Sequence, residues 1–196
     1  YFQPMVVLSQ DLLSYEDGVM QLFGNGKARL RLMVIKFLQN WAFRRSEGTI
    51  FLTHYAGKVI QKSSGELKNI EYIPHGVPEK FKKYKLLNSW PKDSKRSIRC
   101  IYVSPVMKFK HHKNVVYAIT NLRRRGYDIT IDLVGGGDPC ELRDLDQQIK
   151  KTDPTGVFIN QLGDVANHDI LEHLINSDLF VFASSCETFG ITLLEA

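Results

Sequence analysis

Cysteine is scarce in this chain. Cys100, Cys140 and Cys186 are odd in number, far apart, and include no CxxC pair. That excludes a disulfide-framework domain and a zinc ribbon, and it fits reduced thiols in a cytosolic protein. Cys100 lies in an apolar run and reads as core. The histidines supply no metal set: His111 and His112 are adjacent, and His168 and His173 miss the i,i+4 spacing of a helical ligand pair. No run of about eighteen apolar residues is present that would span a bilayer as a helix, and no charged-then-apolar leader opens the chain. Internal repeats and low-complexity tracts are absent. No basic stripe interleaved with aromatics marks a nucleic-acid reader. Tyr1-Phe2-Gln3 lacks an initiator Met and reads as native sequence within a longer protein.

What is present is a chain of 196 residues with 43% hydrophobic content, enough for one or two domains. The formal charge of +5 is localised. Gly18 to Ser46 holds six basic residues and no acid, and Lys80 to Arg96 is opposed only by Asp93. Such runs suit anionic partners, although most are solvated faces.

The second half alternates strand and helix patterns. Strands are expected at Ile98–Val103, Tyr127–Val134, Val157–Leu162 and, as a buried strand, Leu179–Ala183. Between them fall helical patterns at Asn114–Arg125 (Val115, Val116, Ala118, Ile119 and Leu122 inward), Glu141–Lys151 and Asp169–Asn176, the last capped by Asn167. A further helix opens at Ile191. That order predicts an α/β fold with a doubly wound parallel sheet. The first half is less regular: strands at Met5–Leu8, Thr49–Leu52 and Glu71–Ile73, with helices at Lys27–Arg45 and His54–Lys62. The expected division is a first domain over 1–78, a basic connection over 79–96 rich in Lys, Pro and Ser, and a second domain over 97–196.

The last thirteen residues concentrate the chemistry. Glu187 and Glu195 have seven residues between them, with Phe189-Gly190 in the gap, just after the Leu179–Ala183 run. Carboxyl ends of strands in open α/β sheets are where ligands bind. Eight residues along a helix rise about 12 Å, so the two carboxylates do not share one proton or metal; they suit two ends of an extended ligand. Amides of Phe189, Gly190 and Ile191 near a helix start would favour phosphate. On spacing alone, two solvated glutamates remain the simpler reading. The Lys27–Arg45 helix has Leu30, Val34, Phe37, Leu38 and Trp41 on one stripe among Arg29, Arg31, Lys36, Arg44 and Arg45. It fits either packing on its sheet or docking on an anionic membrane leaflet.

Several segments in order resemble one enzyme family. Ser184-x-x-Glu187-x-Phe189-Gly190-x-x-x-Leu194-Glu195-Ala196 resembles the E-x7-E signature of family 4 retaining glycosyltransferases, which have the GT-B fold. Ile73-Pro74-His75-Gly76-Val77 resembles that family's Ile-Pro-Asn-Gly-Val loop. Tyr102-Val103-Ser104 with Lys110 resembles its Val-Gly-Arg strand and Lys-Gly pair. Leu133-Val134-Gly135-Gly136-Gly137 resembles its Val-Gly-x-Gly turn, Leu162-Gly163-Asp164-Val165 its Gly-x-Val segment, and Asn176-Ser177-Asp178 its Ala-Asp pair. Pro105 stands where the family carries Arg, with Lys108 as a substitute two residues before Lys110. Gln10 stands where many members carry His; an amide donates a hydrogen bond but is no acid or base near neutral pH.

The resemblance implies two Rossmann-like domains in GT-B architecture, each incomplete in this chain, and transfer of a sugar with retention from a nucleotide-diphosphate sugar to a glycan or lipid-linked acceptor. It implies that Glu187 contacts the sugar hydroxyls and Lys110 balances leaving-group charge. Glu195 would hold the ribose, the amides of Phe189 and Gly190 with Ile191 the sugar and pyrophosphate, and Val165 the base, with Ser104 and Gly135 in the same nucleotide-sugar site. Gln10, His75 and Gly76 would face the acceptor cleft. No cofactor and no bound metal are implied. Ser9-Gln10-Asp11 and Val103-Ser104-Pro105 are similar to a bacterial subgroup that builds surface polysaccharides, such as lipopolysaccharide O-antigen or capsule. That places the protein in the cytoplasm, peripheral on the inner face of the membrane. The rival readings are a GT-B disaccharide phosphorylase or synthase and an inactive nucleotide-sugar-binding homologue. The isolated 196 residues are expected to be inactive.

Overall fold

The computed structural model describes residues 4–82, 90 and 96–196. Its strands form two separate parallel sheets. In the first, β1 (Val6–Ser9), β2 (Gly48–Phe51) and β3 (Ile70–Tyr72) lie in the order β1-β2-β3. Helix α1 (Lys27–Arg45) makes the crossover from β1 to β2, and α2 (His54–Ser64) that from β2 to β3. In the second, β4 (Ile98–Val103), β5 (Ile129–Val134), β6 (Ile159–Gly163) and β7 (Leu179–Phe180) take the order β6-β5-β4-β7. Their crossovers are α4 (His112–Arg124), α5 (Pro139–Thr152) and α6 (Ile170–Ile175). Short helices α3 (Glu79–Lys82) and α7 (Ile191–Glu195) complete the set. Two compact units result: residues up to Gly76 together with Ser185–Ile191, and Val77–Ser184 together with Thr192–Ala196. Most of the expected 79–96 connection, residues 83–89 and 91–95, lies outside the described residues.

The second unit folds around β4 and β5. Cys100, Tyr102, Ile129, Ile131 and Leu133 point into a core closed by Val115, Val116 and Ile119 of α4 and Leu145 of α5. Ala118, expected to face inward, is exposed, because the α4 stripe runs through His112, Val115, Val116 and Ile119. Asp138 caps α5 by accepting from the N–H groups of Cys140 and Glu141 (2.9 and 3.1 Å), with Pro139 in the first turn.

Two expectations are corrected. β7 is the edge strand, with Leu179 43% exposed: it has a neighbour on one side among the described strands, so it is not a buried strand. Asn167 does not cap α6; the N-cap is Asp169, without a side-chain cap, and Asn167 instead accepts from the Lys80 ammonium through both its carbonyl (3.0 Å) and Oδ1 (3.1 Å).

The stripe on α1 takes the solvent side. Leu30, Val34, Phe37, Leu38 and Trp41 are all about half exposed or more, together with Met33, and Phe37 reaches 70%. The buried residues are Leu32 and Phe43. The inner side of α1 meets the sheet through Phe43, which packs on Phe51 of β2, and turns Lys36 and Asn40 toward Tyr15 and α2. That face is held by hydrogen bonds: Tyr15 donates to Asn40 Oδ1 (3.0 Å) and Asn40 Nδ2 donates to Ser63 Oγ (3.0 Å).

β7 is joined to β4 by backbone pairing and by one carboxylate at its start. Asp178, with its side chain 2% exposed, accepts from the Arg99 backbone N–H (2.9 Å) and from the guanidinium groups of Arg96 (2.9 Å to each oxygen) and Arg99. Burial alone would raise its carboxyl; the donors from Arg99 and Arg96 outweigh it and hold Asp178 below the usual aspartate range. A depressed folded value means stability that is present above the unfolded aspartate value of about 3.9 and lost as pH falls through the folded one. We expect Asp178→Asn to lower the unfolding free energy by about 2–3 kcal/mol at neutral pH. In urea melts followed by circular dichroism, the loss relative to the parent should shrink below about pH 4; an unchanged melt at neutral pH would contradict this role.

Candidate functional site

The order β6-β5-β4-β7 places a topological switch between β4 and β7, where the chain leaves β4 for one side of the sheet and later returns to the other. Ligands of open α/β sheets bind outside the carboxyl ends of the strands at such a point. The exits of β4, β5 and β6 are laminated there. Ser104 N–H donates to the Val134 carbonyl (2.8 Å), Val106 N–H to Gly136 (2.6 Å) and Gly135 N–H to Gly163 (2.7 Å). Gly136 N–H donates to Asp164 Oδ1 (2.6 Å). Gly135 (φ +133°) and Gly137 (φ +156°) adopt backbone that side chains disfavour. A Cβ at Gly135 would overlap the Ser104 carbonyl, one at Gly136 the Asp164 carboxylate, and one at Gly137 the Val106 backbone. Ser104, Gly135 and, next to Asp164, Val165 are therefore brought together in the second unit.

Lys110 ends a 3-10 turn (Lys108–Lys110), and its carbonyl accepts from the buried Tyr102 hydroxyl (2.7 Å). His111 then takes a left-handed conformation (φ 54°), turning the chain into α4. The adjacent His112 is a residue sequence reasoning missed. It is 3% exposed and stacks on Tyr102 with centroids 4.6 Å apart. Burial, reinforced by the nearby Lys110 charge, pushes its imidazole down to about 4, so it is neutral at pH 7. A small cavity of about 110 Å³ borders it, lined by Lys108, His111, Lys113 and Glu141.

Glu195 lies in α7 of the same unit, half-buried. Burial raises its carboxyl, and the Lys80 ammonium opposes that. Lys80 was legible only as one of a basic run, yet α3 seats it between Asn167 and Glu195.

The segment Ser185–Ile191 belongs to the first unit and is tied there by backbone carbonyls. Thr53 Oγ1 donates to the Thr188 carbonyl (3.0 Å), and Thr188 Oγ1 donates to the Gln10 carbonyl (3.1 Å). Phe189 meets His75 edge-on, with ring centroids 5.4 Å apart and planes at 79°. Gly190 is buried in a left-handed conformation (φ 74°) before Ile191 opens α7. Gln10, His75, Phe189 and Gly190 are thus gathered in one unit with Glu187, which is partly buried; Gly76 adjoins His75 and is exposed. Thr53 was missed as a site element; its signal is its place as N-cap of α2, where it also accepts from Ala56 N–H (3.1 Å).

A family model described as Glycosyl transferases group 1 matches residues 87–196, more than half of the chain. The chain belongs to this family. Solved structures similar to this group 1 chain share its fold at low identity. Sucrose-phosphate synthase from Thermosynechococcus elongatus aligns with a TM-score of 0.76 at 16% identity, over 100% of this chain and 48% of the other. Anabaena Alr3699/HepE in complex with UDP-glucose aligns at 0.71 and 19%, over 99% and 50%. A point mutant of S. aureus TarM in complex with fondaparinux, alpha-GlcNAc-glycerol and UDP aligns at 0.68 and 15%, over 97% and 34%. The group 1 chain therefore spans half or less of the length of these structures. Their likeness supports an α/β fold of GT-B type. No curated protein matches the sequence.

The lamination generates a prediction. Gly135→Ala should destabilise the second unit by about 3 kcal/mol or more, since strain and backbone overlap combine. Gly126→Ala, at φ +91° with open space around it, should cost about 1–2 kcal/mol. Thermal unfolding of the two variants side by side checks the contrast; equal losses would contradict the close approach.

Proposed function

We propose that this chain is part of a retaining glycosyltransferase that moves a sugar from a nucleotide-diphosphate sugar to a glycan acceptor. The observation that carries the reading is the laminated switch point, which sets Ser104, Gly135 and Val165 at the strand ends of a family member. UDP in the HepE and TarM complexes favours a uridine nucleotide as donor. In this reading Val165 backbone holds the base, Glu195 accepts from the ribose hydroxyls, and Ser104 and Gly135 let the pyrophosphate approach. Glu187 orients the sugar hydroxyls, with the amides of Phe189, Gly190 and Ile191 beside them. Lys110 balances charge on the departing diphosphate, an electrostatic contribution to the transition state, and the reading needs no bound metal. Gln10, His75 and Gly76 face the acceptor. With no side-chain base assigned, the departing phosphate takes the acceptor proton on the front face, which retains configuration.

The test is calorimetry against UDP-, GDP- and ADP-sugars, with transfer assayed on a longer form of the protein. UDP-sugar binding is expected, and Glu187→Ala should lower transfer about a hundredfold or more while UDP binding persists. Because burial raises the Glu195 carboxyl, the affinity for a UDP-sugar, whose diphosphate does not titrate in this range, should fall as pH drops at values above the ordinary glutamate range, and Glu195→Gln should remove that dependence. Unchanged transfer by Glu187→Ala sinks the site assignment; turnover of a sugar 1-phosphate with inorganic phosphate would instead favour the phosphorylase reading.

The α1 face favours a finer proposal, peripheral docking on the anionic inner leaflet to reach a lipid-linked acceptor in polysaccharide synthesis. Leu30, Met33, Val34, Phe37, Leu38 and Trp41 are exposed beside Lys27, Arg31 and Arg45, an apolar surface with basic neighbours; the Arg44 guanidinium is instead bonded to the Ser63 and Ser64 carbonyls. Sedimentation with phosphatidylglycerol vesicles should carry the protein down at low salt and less at high salt, and Phe37→Ser/Trp41→Ser should abolish it. Equal partition onto neutral vesicles would contradict the electrostatic part.

A further inference from the structure

The first unit contains a cavity of about 430 Å³ that the donor chemistry does not use. It lies between the segment after β1 and the facing sides of α1 and α2, and its size falls within the range of small-ligand sites. Three ammonium groups line it: Lys36 from α1, and Lys58 and Lys62 from α2. Lys58 and Lys62 are an i,i+4 pair of like charge, which destabilises a helix unless something offsets it. Among the described residues, no carboxylate forms an ion pair with any of the three.

Two acids share the lining, Glu16 and Asp17. Glu16 is already engaged, accepting from the Tyr55 hydroxyl at 2.6 Å. That bond also fixes the Tyr55 ring, which is 54% exposed at the cavity. On the inner side, Tyr15 is buried, bonded to Asn40, and has the Lys36 ammonium over its ring at 5.2 Å. The lining thus combines a net charge of +1 (three ammonium groups against the Glu16 and Asp17 carboxylates), a held aromatic face and the Ser63 hydroxyl. Positive charge selects an anion; a fixed phenol ring with hydroxyl partners suits the mixed apolar and polar faces of a sugar ring.

We propose that this cavity binds an acidic saccharide, its carboxylate or phosphate held by Lys36, Lys58 and Lys62 and its sugar ring seated against Tyr55. Its role as an acceptor subsite rests on the transfer reading; the binding itself does not.

The experiment titrates the full chain with a uronic-acid tetrasaccharide, a neutral tetrasaccharide of the same length, and inorganic phosphate, by calorimetry at low and high salt. The acidic saccharide should bind about tenfold or more tighter than the neutral one and weaken with salt, and Lys58→Gln/Lys62→Gln should lose about tenfold with the melting temperature retained. Tyr55→Ala should weaken the acidic saccharide but not phosphate. Equal affinity for the neutral saccharide, phosphate binding as tight as the saccharide, or full affinity in the double variant would each overturn the proposal. UDP titrated into the same samples reports on the donor site alone, so failure of one reading is separable from failure of the other.

Discussion

The carbonyl of Ser104 rests against the bare α-carbon of Gly135, and a methyl group does not fit between them. Much of the second unit follows from that approach. It lets Val106 N–H reach the Gly136 carbonyl and Asp138 N–H reach the Val106 carbonyl, so the parallel pairing of β4 with β5 continues beyond the strands to Val106 and Gly137. The chain then turns through Lys108–Lys110 into α4, placing the Tyr102 hydroxyl under Lys110 and His112 on the Tyr102 ring. One tight contact therefore sets the height of the strand-end loops above the sheet, and with it the position of Ser104, Lys110 and Val165.

Pro105 is better understood in this setting. It follows Ser104 where the backbone must stay extended and tight against the glycines, and it is exposed. Its fixed φ suits that course, and it has no N–H to leave unpaired. In the neighbouring turn Lys108 and Lys110 fall on either side of the buried Phe109.

The sheet elements were legible because short apolar or alternating runs take turns with amphipathic helices; the expected strands Ile98–Val103 and Tyr127–Val134 overlap β4 and β5, the second beginning later, at Ile129. The glycines at 135–137 were legible as a turn, but not as a contact with Ser104, since sequence does not say which backbone approaches them. Gln10, Thr53, His75 and Phe189 were hidden as a group for a related reason. Thr53 and Gln10 are linked through the backbone carbonyls of Thr188 and Gln10, groups every residue possesses, and His75 and Phe189 meet by an edge-on ring contact across more than a hundred residues of chain. Lys80 and His112 were obscured by composition: one lay in a basic run, the other beside a second histidine.

α1 shows how a periodic stripe misleads. Both faces of the helix repeat at helical spacing, and the more polar one is turned inward, where Leu32 and Phe43 are buried and Asn40 links Tyr15 to Ser63 by hydrogen bonds. The apolar face remains outside. Burying each of its large side chains fully would contribute roughly 1.5–3 kcal/mol, so even half of that, summed over the face, is on the order of the net stability of a whole domain. A surface holding that much unrealised burial favours a partner that is itself apolar and large.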